Sequence, residues 1–261
     1  MNFEASLIQC IKTNDPKGIE ALGLTSANVD DIIVHKFEVP NKELLNGVLI
    51  PRYPTPLVYA ILCRKLDVVI KLIELKAKID LEVNGWKPIH YAVATNQPSI
   101  VRYIIEYDTE QLEATTNLGT TPLHLAVSTN SLELVDYLLI SGANPNSQNL
   151  VGNSTFHFAA LLHQPNIIRT LLAFSADPEI KNNAGVTPID IANSKQNSLF
   201  LEIIKETPLD LEVIMKEYHQ ILANKEEEAK IEPAADPGAV EERIKSLSKR
   251  IADIERAVNK E

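Results

Sequence analysis

The sequence is poor in several residue types on which common functions depend. Its 261 residues include two cysteines, Cys10 and Cys63. That is too few for a disulfide framework, and their spacing is not that of a metal site. An intracellular, reducing compartment is the simplest setting for such a chain. Basic residues are outnumbered, 25 against 35 acidic, for a net charge of −10. A surface that tracks nucleic-acid phosphates needs a basic face, so nucleic acid is not an expected partner. No apolar run approaches the roughly 20 residues that span a bilayer, and the N-terminus lacks a charged-then-apolar signal pattern. No membrane association is expected. A cytoplasmic location follows, with nuclear entry left open, since Lys249-Arg250 is too little for a nuclear signal. Gly-x-x-x-x-Gly-Lys, Gly-x-Ser-x-Gly and His-Glu-x-x-His motifs are also missing. No cofactor and no catalytic centre are therefore expected, and an enzyme is the distant reading.

What the chain does have is repetition. Five segments align on an alanine, at Ala60, Ala92, Ala126, Ala159 and Ala192, with steps of 32, 34, 33 and 33 residues. The third reads Thr121-Pro122-Leu123-His124-Leu125-Ala126, and Thr55–Ala60 and Thr187–Ala192 follow it closely. Threonine is a good helix N-cap, and proline in the first turn loses no hydrogen bond. Eight or nine residues later each of the first four copies carries a second apolar run, such as Leu134-Val135-Asp136-Tyr137-Leu138-Leu139, with one polar position expected to face out. Turn residues follow, and then a short loop closing at Gly85, Gly119, Gly152 or Gly185.

This pattern resembles the ankyrin repeat family, over about residues 54–207, in both its period and its Thr-Pro-Leu-His-x-Ala signature. The resemblance implies an all-α solenoid of stacked helix-turn-helix units with protruding loops, about six in number. Residues 3–22 read as a degenerate first repeat, broken at Asn14-Asp15-Pro16, and residues 23–53 as an irregular insertion. The ankyrin-repeat domain is thus expected to span 1–207. A capping helix over 208–228, a hinge over 229–239 and a short coiled-coil helix over 240–261 complete the expected organisation. The last of these has Val240, Ile244, Leu247, Ile251, Ile254 and Val258 spaced 4, 3, 4, 3, 4, the heptad alternation of a self-association seam. Weak homo-oligomerisation, or docking of the seam on its own chain, is the expectation.

His90, His124 and His157 recur at one position. One repeat apart means about 10 Å, too far for a shared ion. They read as links that tie loop backbone between neighbouring repeats, not as metal ligands.

In ankyrin-like stacks partners meet the loop tips and the exposed positions of each first helix. Carried over by position, these are Trp86, Asn117, Leu118, Thr120, Leu150, Val151, Asn153 and Val186 at the tips, and Leu62, Leu161 and Leu162 on the helices. The face is short of charge and rich in large apolar groups, which marks an interface. Trp86, beside Gly85, is expected to anchor a partner without supporting the core. The function implied is a non-catalytic adaptor or scaffold for other proteins. The alternative is a masking regulator or assembly chaperone for one client.

Overall fold

A computed structural model describes residues 3–25, 28–30, 51 and 53–206, all within one compact unit. The capping helix, the hinge and the six seam residues from Val240 to Val258 lie outside the described residues, as does most of the 23–53 insertion.

Twelve α-helices form six antiparallel pairs among the described residues. The first pair is α1 (Phe3–Thr13) with α2 (Pro16–Ala21). It is followed by α3 (Pro56–Leu62) with α4 (Leu66–Glu74), and by α5 (Pro88–Ala94) with α6 (Pro98–Tyr107). Then come α7 (Pro122–Ser128) with α8 (Leu132–Ile140), α9 (Thr155–Ala159) with α10 (Pro165–Ala173), and α11 (Pro188–Ser194) with α12 (Ser198–Glu206). The odd-numbered helices pack in one row, each on the next. The even-numbered ones make a second row behind them, and the core lies between the rows. No helix among the described residues is long and apolar enough to cross a membrane.

Local chemistry explains where the helices begin and end. Thr55, Thr121 and Thr187 accept hydrogen bonds from the backbone N–H three residues on, at 3.3, 3.4 and 3.1 Å, with proline following each of them. The cap satisfies an orphan donor, and the proline presets φ. Helices α3, α5, α7 and α11 then end on a left-handed residue, Arg64, Asn96, Asn130 and Gln196, whereas α9 ends on Ala160 at φ −62°. The N–H of the residue that follows each left-handed one reaches back to the motif alanine, as in Gln97 N–H to Ala92 O at 3.0 Å. Second helices close the same way through Lys76, Gly142 and Ser175. Helix α6 is the exception. Its Asp108 is extended at φ −147°, and a 3₁₀ turn, Thr109–Glu113, replaces the left-handed ending.

Asn14 is left-handed and Asp15 caps α2 by accepting from Gly18 N–H at 2.9 Å. Leu7, Ile11 and Ile19 are fully buried, while Phe3 is exposed. One expectation about the second helices fails. Asp136 is buried in α8 instead of facing out, and accepts from the Thr170 hydroxyl of α10 at 3.4 Å.

Candidate protein-interaction face

The loop tips are held in register by a running backbone ladder. Asn117 N–H donates to Gly85 O at 2.8 Å, Leu150 N–H to Leu118 O at 3.0 Å, and Asn183 N–H to Val151 O at 3.1 Å. Each loop therefore hangs from the one before it. So close an approach explains two of the loop glycines. A Cβ on Gly119 would lie 2.9 Å from Leu150 N, and one on Gly152 2.6 Å from Asn183 N. Both also have φ above +70°, which favours glycine. Asn149 and Asn182 brace their tips from within, each accepting two loop N–H groups through Oδ1.

The histidines brace the loops from below. In each ring Nδ1 accepts the N-cap backbone N–H, at 3.0 Å for His90, 3.3 Å for His124 and 3.0 Å for His157. That leaves Nε2–H to donate to the next loop: to Ala114 O, Asn153 O and Val186 O, each at 3.0 Å. Both ring nitrogens are thus committed to backbone, as expected of structural links. Burial holds His90 and His124 at about 4, well below the usual imidazole value, and lowers His157 as well. The rings are neutral at pH 7. Asp190 takes the same place in the last repeat described and performs the first half of the task, accepting from the N–H and hydroxyl of Thr187 at 2.9 Å each. Those hydrogen bonds hold its carboxyl below the ordinary range.

Both thiols are pushed up, chiefly by burial, so neither is an activated nucleophile.

The expected interface residues divide into three groups. Leu118, Leu150, Val151 and Leu161 are widely exposed, at 63 %, 70 %, 61 % and 49 %, and Asn117 is exposed beside them. Thr120, Asn153, Leu162 and Val186 are half-buried. Leu162 packs on the core, while the backbone carbonyls of Asn153 and Val186 serve the histidine links. Trp86 is also half-buried. Its ring lies 5.3 Å from that of Tyr91, whose hydroxyl pins the same loop through Val83 O at 2.8 Å. It supports the core after all, contrary to the expectation of a free-standing anchor.

Leu62 is a correction. Expected on the exposed face, it is 1 % exposed. Every residue of α3 and of α5 is buried. The signal was present in the sequence: Pro-Leu-Val-Tyr-Ala-Ile-Leu is apolar all the way round, and such a helix is buried on all sides. Helices α7 and α11 carry polar residues on their outer side, and Ser128 and Ser194 are exposed there.

Sequence reasoning also missed the side chains that cap helices of the preceding repeat. Gln97 Nε2 donates to Ile61 O at 2.8 Å, and Asn197 Nδ2 donates to Ala160 O and Leu162 O at 2.9 and 2.7 Å. Arg64 reaches forward instead, to Thr95 O at 2.8 Å and Asn96 O at 3.1 Å. These residues directly precede or begin the second helices, so the position, not the residue type, was the available clue.

Comparison with known proteins agrees with this geometry. The ankyrin repeat family, described as ankyrin repeats in three copies, matches residues 7–115, 57–149 and 123–212. The human neurogenic locus notch homolog protein 1 is 29 % identical over 127 residues, 48 % of this chain and 5 % of its own length. A protein of Acanthamoeba polyphaga mimivirus named for its ankyrin repeats is 35 % identical over 78 residues, 30 % of this chain and 11 % of its own. The chain thus covers only a small part of these relatives. Ankyrin repeats are in general protein–protein interaction modules and typically not enzymes. The matches span most of the described solenoid, and the chain belongs to the ankyrin repeat family.

Proposed function

We propose that this chain is a non-catalytic adaptor or scaffold that holds a protein partner against the loop tips of its central and C-terminal repeats. One observation carries the reading: Leu118, Leu150, Val151 and Leu161 are exposed together on consecutive repeats, and the tip leucines are joined by one backbone hydrogen bond. Exposed apolar surface is costly for a lone soluble chain and is relieved when a partner covers it. Among the flanking positions, Ser128, Asn130, Asn193 and Ser194 bring no charge, while Lys195 is exposed beside them.

The test uses a photo-crosslinking residue placed at Leu150 in the full chain, with the exposed Arg169 of α10 as the control position. Crosslinking at Leu150 yields a discrete heteromeric product, and adding Leu118→Asp and Val151→Asp abolishes it. Identical products from both positions would sink the proposal. An adaptor also captures a second protein while the first is bound. A masking regulator instead silences its single client.

A further inference from the structure

The apolar tips are closed to an incoming main chain. Three residues at one repeat position, Thr116, Asn149 and Asn182, organise them. Thr116 Oγ1 accepts from Leu118 N–H at 3.3 Å and Thr120 N–H at 3.2 Å, and its carbonyl accepts from Gly119 N–H at 2.9 Å. Asn149 takes the N–H groups of Val151, Asn153 and Gly152 in the same way, and Asn182 those of Ala184, Val186 and Gly185. The remaining N–H of each tip, on Asn117, Leu150 or Asn183, is spent on the loop before it. Every main-chain N–H of the three tips, 117–120, 150–153 and 183–186, is therefore committed.

That accounting decides which form of partner fits. Strand addition needs donors and acceptors in alternation along an open edge. Here an extended segment would find no main-chain donor for its carbonyls, and burying them unpaired against leucines is costly. An α-helix brings its backbone hydrogen bonds with it and meets the tips with side chains alone.

Spacing agrees. Leu118, Val151 and Ala184 occupy one position of three consecutive repeats, and all are exposed. Stacked repeats follow one another at about 10 Å. Seven residues of helix rise about 10.5 Å and return to the same face. One face of a strand recurs every ~6.8 Å and falls into step only at every second repeat.

Charge narrows the choice further. No charged residue occurs in the three tips. A charge set against them would lose water without gaining a partner, so the contacting stripe is uncharged too. A second copy of this chain is disfavoured, because two chains of net charge −10 repel each other.

We infer that the partner meets the tips with an amphipathic α-helix lying along the stack, an uncharged apolar residue at about every seventh position facing each repeat. The inference rests on the reading of the tips as a protein-binding face.

Fluorescence anisotropy with the full chain tests it, using two fluorescein-labelled peptides of about 20 residues and identical composition. One is a stapled helix with leucines at i, i+3, i+4 and i+7; the other alternates leucine with polar residues and cannot form that stripe. The helix is expected to bind, and the alternating peptide at least about tenfold more weakly. Leu118→Asp/Val151→Asp should weaken helix binding at least about tenfold, two charges being set against the apolar stripe. Both side chains lie at the surface, and circular dichroism checks that the variant is folded. No helix binding up to about 1 mM, equal binding of the alternating peptide, or equal binding to the aspartate variant overturns the inference. The crosslink at Leu150 separates it from the reading beneath it. A heteromeric product that excess helical peptide does not displace overturns the helix alone, whereas no heteromeric product, or one joining two copies of this chain, overturns both.

Discussion

The first helices of the two halves of the solenoid occupy the same register but live in different surroundings. In α3 and α5 every residue is buried, whereas α7 and α11 end in exposed positions and the turn after α9 exposes Leu161. The second residue after the motif alanine makes the contrast plain: Leu62 and Ala94 are buried, while Ser128, Leu161 and Ser194 are exposed. A position in a repeat thus fixes geometry but not environment. An interface carried over by register alone therefore includes residues that have no surface.

The largest expected effect breaks or confirms this contrast directly. Leu62→Asp places a charge in a site with 1 % exposure and should cost more than about 4 kcal/mol or prevent folding. Ser128→Asp, at the equivalent position, should stay within about 0.5 kcal/mol. Denaturant melts of both suffice, and similar losses would mean that the two halves are equally open or equally closed. Within the core, Leu138→Ala should cost about 2–5 kcal/mol. Leu7, though in the edge repeat, is just as buried, so Leu7→Ala should fall in the same range, not below it. A much smaller loss would show a frayed N-terminal repeat.

The histidine links offer a finer comparison, between repeats that reach the next loop and the one that does not. His124→Ala removes two hydrogen bonds and strands Asn153 O, and should cost about 2–4 kcal/mol. Asp190→Ala should cost clearly less, because Asp190 caps only its own helix. The pH dependence has a definite sign. His90 and His124 titrate at about 4 in the fold and near 6.5 when unfolded, so between these values the unfolded chain binds more protons. Stability is complete above about pH 6.5 and falls as the pH drops toward 4. His157 adds in the same direction. A melting temperature flat across this window would contradict neutral, buried rings.

The smallest effect concerns the irregular repeat. Lys87→Thr restores the cap found in the regular copies and should stabilise the fold by about 0.5–1 kcal/mol. Denaturant melts of the two chains check it, and an unchanged stability would mean that the missing cap costs α5 nothing.

How much of this was written in the chain can be argued residue by residue. Period, helix starts and loop closures depend on contacts a few residues apart: Thr121 with His124 N–H, Asn130 in a left-handed turn, Gly152 at a tip. Such features are legible because the residue types that satisfy them are few. The histidine links were legible as well, since one residue type recurs where one donor and one acceptor are needed. The burial of α3 could have been read from its unbroken apolar composition, but was hidden by reasoning from repeat position. The 3₁₀ turn after α6 had only a faint trace, the 34-residue step between Ala92 and Ala126.

By itself, then, the sequence determined that this chain stacks ankyrin repeats and where most of its helices begin and turn. Those are matters of local hydrogen bonding and hydrophobic periodicity. Only the tertiary structure decided which apolar side chains keep a surface, that Trp86 leans on Tyr91, that Gln97 and Asn197 cap helices more than 30 residues away in sequence, and that Gln111 holds a buried carbonyl without a donor. Exposure and hydrogen-bond satisfaction depend on what neighbouring repeats bring to a residue, and neighbours a full repeat away lie beyond the reach of local pattern.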